Sequence, residues 1–236
     1  MSAKTIKVGI LETGAPPRAL AERFGSYPAM FKRLLAAPDF EFASFDVRDQ
    51  APPPVEACAA YVVTGSAADA YGADPWILDL SKFLVAAKGR AALVGVCFGH
   101  QIMARAFGGK VIKSPKGWGV GLHDYALRGV ESWMKPGPLI SVPASHQDQV
   151  VELPPGADVL AGNDFTPYGM LEYSDQPAIS IQLHPEFDPA YAKALIEGRR
   201  GLYAEGQADA ALESLDKPND CQRVGDWIVR FLRERA

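Results

Sequence analysis

Gly95-Val96-Cys97-Phe98-Gly99-His100-Gln101 joins the apolar run Ala91–Val96, "AALVGV", to the helical pattern "HQIMARAF", which stops at Gly108-Gly109. A cysteine packed into a core has no need of glycine two residues away on each side. A cysteine forced into a tight strand-to-helix turn does, because the flanking glycines let the two backbones approach closely. The same mechanics underlie the Gly-x-Ser-x-Gly nucleophile elbow. Such a turn lifts the side chain above the carboxyl ends of the strands, where open α/β sheets bind ligands. It also sets the thiol at a helix N-terminus, which favours the thiolate, and offers the Phe98 N–H to an oxyanion.

The rest of the chain fits an α/β reading of that turn. "KTIKVGILE", Lys4 to Glu12, is rich in β-formers and is followed by a Gly-Ala-Pro-Pro breaker. Apolar residues from Leu20 to Leu35 recur at helical spacing, which predicts one helix over Arg18 to Ala37. "FEFASFDV" alternates with period two, as a half-buried strand does. "AAYVVTG" reads as a buried strand ending at Gly65. "DPWILDLSKFLVAAK" predicts a helix with Asp74 as N-cap and Pro75 at its first position. Alternating strands and helices imply a mostly parallel sheet covered on both faces.

From Lys110 to about Gln182 short strands with turn residues predict an antiparallel extension or edge. After Phe187 the pattern returns to helix, Ala190 to Gly206 and Asp220 to Arg235. In the last of these Val224, Trp227, Ile228, Phe231 and Leu232 share one apolar face, expected to pack on the domain, with docking of a partner as the alternative. With no repeat, linker or low-complexity tract, residues 1–236 are expected to form one domain, with a helical C-terminal extension from about residue 188.

Composition narrows the function classes. Lys and Arg total 24, Asp and Glu total 28, and the net charge is −4. No basic stretch provides a nucleic-acid footprint. The apolar runs fall short of the roughly 18 residues that a membrane span needs. The apolar core of the first residues is too short for a signal peptide, so a cytoplasmic location is expected. The three cysteines, Cys58, Cys97 and Cys221, are widely spaced without a C-x-x-C, so neither a disulfide framework nor a zinc site is expected. Cys58 and Cys221 lack any elbow and read as structural.

A thiol nucleophile needs a base. Of four histidines, His184 stands out in "ISIQLHPEF", at the carboxyl end of a strand read over Ile179 to Leu183. Pro185 ends strand pairing and biases His184 toward extended backbone. In that geometry His184 and Glu186 share one side, and a carboxylate beside an imidazole fixes its tautomer. His100 and His123 read as structural. His146 reads either as a pocket residue or as a turn histidine.

With "GVCFGHQ", "LHPEF" and "VVTGS" (Val62 to Ser66) in this order, the sequence resembles the class I glutamine amidotransferases of the Cys-His-Glu type, over roughly Val8 to Phe187. The resemblance implies a flavodoxin-like three-layer α/β sandwich. It implies that Cys97 is the nucleophile, His184 the general base and acid, and Glu186 the orienting carboxylate. The backbone N–H groups of Gly65 and Phe98 correspond to the oxyanion hole, and Gln101, Ser145, His146 and Gln147 to residues holding the glutamine moiety.

The implied reaction is hydrolysis of a γ-glutamyl amide through a cysteinyl thioester, with no metal or organic cofactor. The free-standing subgroup similar to the amidotransferase domain of GMP synthase, which has γ-glutamyl peptidases among its relatives, matches best through "TGSAADAYGADPWI" and "SHQDQV". Two alternatives stand beside that reading: a glutaminase subunit feeding ammonia to a separate synthetase, and a catalytically idle regulatory module. "GWGVG", Gly117 to Gly121, has Gly-x-Gly spacing but no helix after it. It reads as a loop near the site rather than a dinucleotide motif. "AADAYGADPW" reads either as the rim of the pocket or as an ordinary loop.

Overall fold

The computed structural model describes residues 5–236, so Lys4 of the expected opening strand lies outside the described residues. The strands, in chain order, are β1 (Ile6–Glu12), β2 (Phe40–Asp46), β3 (Ala60–Val63), β4 (Ala92–Val96), β5 (Lys110–Lys113), β6 (Gly119–Leu127), β7 (Leu139–His146), β8 (Asp148–Glu152), β9 (Ala157–Gly162), β10 (Met170–Tyr173) and β11 (Ala178–Ile181). The helices are α1 (Arg18–Phe24), α2 (Tyr27–Leu34), α3 (Pro75–Ala87), α4 (Phe98–Ala106), α5 (Pro189–Gly198), α6 (Gln207–Ser214) and α7 (Cys221–Arg235).

Nine strands form one sheet in the order β2-β1-β3-β4-β11-β10-β9-β6-β7, and β5 and β8 pair separately. From β2 through β11 neighbours run parallel. From β10 through β7 they run antiparallel. β3, β4 and β11 are buried at every position, as expected of central strands covered on both faces. β2 is the half-buried edge, which matches its period-two pattern. One apolar core lies under α2 and α7, and a second lies under α3 and α4.

Four local readings need correction. The expected helix over 18–37 is two helices, broken at Gly25 (φ +87°), with Ser26 capping α2 by accepting from Ala29 N–H. A glycine in that conformation stops a helix, and a serine after it starts another. The expected helix over 190–206 ends at Gly198. Gly206 (φ +74°) then opens α6, whose weak apolar pattern hid it. Asp74 sits at the N-cap of α3, yet its carboxylate caps nothing.

The stretch 110–182 is not wholly the expected antiparallel extension. Its final strand, β11, inserts parallel beside β4, a long-range pairing that short-range pattern cannot reveal. The apolar face of α7 is buried as expected, with Trp227 and Ile228 wholly covered.

Candidate active site

The site forms at the carboxyl ends of β3, β4 and β11. Register brings its parts together. Ile181 pairs with Val96, and the Cys97 N–H donates to Ile181 O at 2.8 Å. The chain past β4 and the chain past β11 therefore leave the sheet side by side.

Cys97 is the one non-glycine residue with positive φ among those described, at φ 53° and ψ −102°. Backbone of this kind costs about 1–3 kcal/mol and persists only where its surroundings enforce it. The glycines are part of that enforcement. A Cβ at Gly95 would lie 2.4 Å from Gly99 O, and a Cβ at Gly99 would lie 2.3 Å from Val63 O. Strand, turn and helix are thus packed backbone to backbone, as the spacing in the sequence requires.

His184 leaves β11 with its N–H donating to Pro143 O at 2.9 Å. Its Nδ1 lies 2.8 Å from Glu186 Oε1, with both side chains almost completely buried. A carboxylate only accepts, so Nδ1 carries the proton and Nε2 is free for Cys97. Cys97 and the imidazole line the same cavity, and both pack against Gly65. The extended geometry expected for His184–Glu186 is not what brings the pair together. The Phe187 N–H donates to His184 O at 3.2 Å, so the chain turns there and Glu186 folds back onto the ring.

Phe187 stacks on the imidazole with centroids 4.0 Å apart and planes 6° from parallel. That stack fixes the plane of the ring. Burial on its own would depress the His184 pKa, but the charges of Glu186 and Cys97 outweigh it and raise the value to about 10. The arrangement favours an imidazolium beside Cys97.

Gly65 packs against both partners, since a Cβ there would meet His184 Cε1 at 3.3 Å and the Cys97 Cβ at 3.7 Å. Among the described residues neither the Gly65 N–H nor the Phe98 N–H donates to another group of the protein. Both flank the thiol, one from the β3 loop and one from the first turn of α4. Two free N–H groups beside a nucleophile are what a developing oxyanion needs.

These groups open onto a cavity of about 360 Å³. Gly65, Cys97, Gln101, Ser145, His146, Gln147 and His184 all line it, while Glu186 and the Phe98 side chain sit behind the wall. The Gln101 carboxamide donates to Asp148 O at 2.9 Å and to Gln182 Oε1 at 3.1 Å, which holds it against β8.

His146 is buried, with Nδ1 donating to Asp148 O and Nε2 3.4 Å from the Thr166 hydroxyl. Burial pushes its pKa down to about 3, so it is a neutral wall residue. His100 lies beneath the elbow, Nδ1 2.8 Å from Ser180 Oγ, and is likewise driven to about 3 by burial. His123 lies in β6 against Val120 O, half-buried and away from the cavity.

Trp118 of "GWGVG" and Ala67, Ala68 and Asp69 of the "AADAYG" segment line the cavity; the second is a rim loop, whereas Gly119, Val120 and Gly121 of the first are not loop but the start of β6. The sequence reading missed Tyr27, Lys113, Asp148 and Arg199, which also line it. Arg199 carries no motif; only the helix that ends beside it places it there. Among the described residues no group of three or more His, Cys, Asp or Glu side chains is gathered as a metal site. No helix there is long and apolar enough to cross a membrane.

The sequence matches the glutamine amidotransferase class-I family over residues 78–197, which include the elbow and the His184–Glu186 turn. The chain belongs to the class I glutamine amidotransferases. It is 32% identical to a glutamine amidotransferase-like protein of Schizosaccharomyces pombe over 180 residues, 74% of this chain and 72% of that one. It is 36% identical to gamma-glutamyl peptidase 5 of Arabidopsis thaliana over 188 residues, 75% and 74% of the two chains. The crystal structure of a glutamine amidotransferase from Thermotoga maritima has the same fold, with a TM-score of 0.76, 17% identity, and coverage of 97% of this chain and 96% of the other. The amidotransferase fold thus extends over β1 to α7, well beyond the matched family segment.

Proposed function

We propose that this chain hydrolyses the γ-glutamyl amide bond of glutamine or of a γ-glutamyl peptide, acting without a synthetase subunit. The observation that carries the reading is the buried line from Glu186 through the His184 imidazole to Cys97, held at a strained strand-to-helix turn. Similarity to a γ-glutamyl peptidase over three quarters of both chains supports the substrate class.

The proposed reaction uses that geometry as follows. The Cys97 thiolate attacks the γ-carbonyl carbon, forming a C–S bond and pushing the carbonyl electron pair onto oxygen. The N–H groups of Gly65 and Phe98 stabilise that oxyanion. The oxyanion collapses, the C–N bond breaks, and the His184 imidazolium gives its Nε2 proton to the departing nitrogen. Ammonia or an amine leaves. His184, now neutral, takes a proton from water, whose oxygen attacks the thioester carbon. Glutamate departs as the C–S bond breaks, and the thiolate–imidazolium pair is restored. Glu186 holds the ring and balances its charge throughout. Gln101 and the Ser145–Gln147 backbone hold the glutamyl head. None of these steps calls on a metal or organic cofactor.

The test is glutamate release by the purified chain from glutamine and from γ-glutamyl peptides. Cys97→Ala is expected to abolish turnover while unfolding within about a degree of the parent. Cys58→Ala and Cys221→Ala are expected to retain it. Equal rates in Cys97→Ala and the parent would reject the mechanism. A silent parent whose Cys97 is still alkylated by a glutamine-like electrophile would favour a subunit that waits for a synthetase.

A further inference from the structure

The charges around the cavity exceed what glutamine can use. Four charged residues line it: Asp69, Lys113, Asp148 and Arg199. The first three form one group. The Asp148 carboxyl is held above the ordinary range by burial and by Asp69, with Lys113 opposing that rise, so the three charges act on one another. This group adjoins Gln101, which is bonded to the backbone of Asp148. The two aspartates have the charge that an α-ammonium requires and Lys113 the charge that an α-carboxylate requires, so this group matches the zwitterionic head common to glutamine and every γ-glutamyl compound.

Arg199 stands apart from that group. It follows α5, and among the described residues its guanidinium makes neither a salt bridge nor a side-chain hydrogen bond. The nearby carboxylates of Glu197 and Asp209 are both engaged by Arg200. Arg199 faces the cavity beside Trp118, Leu202 and Tyr27. Trp118 is held by an edge-on contact with Tyr203 at 5.8 Å and by a hydrogen bond from Gln207 Nε2 to its carbonyl. Tyr27 stands between Arg199 and the reacting groups: it lines the same cavity, and its ring stacks on Phe187, which stacks on the His184 imidazole. A half-buried arginine turned into a cavity, with no carboxylate of its own, is a receptor for one.

We infer that Arg199, walled by Trp118 and Leu202, forms a leaving-group subsite that binds the carboxylate of a γ-glutamyl amino acid or peptide. This rests on the γ-glutamyl hydrolase reading and names the class within it. Glutamine carries no third charge and leaves Arg199 unused. A γ-glutamyl peptide carries one more carboxylate, on the amine that departs.

Paired probes test this: γ-glutamylglycine, and γ-glutamylglycinamide, which has nearly the same shape but lacks the terminal charge. Binding is measured by calorimetry on Cys97→Ala, so the readout does not depend on turnover. The acid is expected to bind about ten- to a hundredfold more tightly than the amide, the range for a charged hydrogen-bonded pair. Adding Arg199→Gln is expected to remove the difference, and Arg199→Lys to restore part of it. In the active parent the same substitution should lower the ratio of kcat/KM for acid over amide by a similar factor, mainly through KM.

Equal binding of acid and amide to Cys97→Ala would overturn the subsite. So would a preference that survives Arg199→Gln in a folded variant. An absence of turnover on every substrate, with the binding preference intact, would reject the hydrolase reading and leave the subsite standing.

Discussion

Gly99→Ala adds one methyl group where α4 meets β3. The new Cβ would sit 2.3 Å from Val63 O and 3.0 Å from Val63 C, whereas ordinary contact begins near 3.4 Å. The shortfall is about 1 Å, and the obstacle is backbone, which cannot rotate away. Two effects compete. Alanine gains up to about 1 kcal/mol over glycine inside a helix, while overpacking a tight interface costs about 1–3 kcal/mol.

The clash is severe and lies against a central strand, so the cost wins, and α4 has to lift away from β3. Thermal unfolding should fall by several degrees, at roughly 2–4 °C per kcal/mol for a chain of this size. The consequence for turnover should be larger. Cys97 immediately precedes α4, and Gly65 lies two residues beyond Val63, so the same shift separates thiol, imidazole and oxyanion donors. A 1 Å misplacement of reacting groups costs on the order of 100-fold in rate. The assay is glutamate release at a temperature where the variant is folded by circular dichroism. A variant with full kcat/KM and an unchanged midpoint would refute the idea that the elbow depends on backbone contact at Gly99.

Two other perturbations probe the charge on His184 and the docking of α7. Glu186→Gln keeps an acceptor at Nδ1 but removes the charge that opposes burial, so the His184 pKa should fall from about 10. With the imidazolium needed as acid, the alkaline limb of kcat/KM should lie near pH 10 in the parent and move down in the variant. The rate should drop by roughly 10²–10⁴, and an unchanged limb in a pH–rate profile would sink this account. Trp227→Ala empties a wholly buried site between α7 and the sheet. It should cost about 3–5 kcal/mol and lower the unfolding midpoint by on the order of 10 °C. A drop of only a degree or two by calorimetry would mean that α7 is not docked as described.

The sequence is most readable where one local rule dictates the residue. Gly95 and Gly99 are glycines because backbone lies 2.3–2.4 Å from where a Cβ would be, so the elbow can be read from spacing alone. Central strands β3 and β4 declare themselves as unbroken apolar runs. β11 is legible as a strand over Ile179 to Leu183, but its place beside β4 is not, because that depends on pairing residues more than 80 positions apart. The sequence points to the His184–Glu186 pair through extended backbone, whereas it is the turn at Pro185 that unites them. Arg199 and Tyr27 belong to no local motif, and Asp148 lies within "SHQDQV" with no signal that singles it out. Their role comes from three separate segments meeting over one cavity, and nothing at short range encodes that.

The register of two strands carries much of the chemistry. Because Val96 pairs with Ile181, Cys97 and His184 leave neighbouring parallel strands one and three residues past the paired positions. The bond from Cys97 N–H to Ile181 O ties the elbow to the strand that supplies the base. A one-residue slip would turn each buried side chain of β11 to the opposite face, which central burial forbids. Precision at the nucleophile is thus enforced by the most stable part of the sheet, and changes there should lose stability and activity together. The rim that holds Trp118, Leu202 and Arg199 comes from a strand start and a helix end. Changes at the rim are expected to alter substrate choice while stability stays near that of the parent.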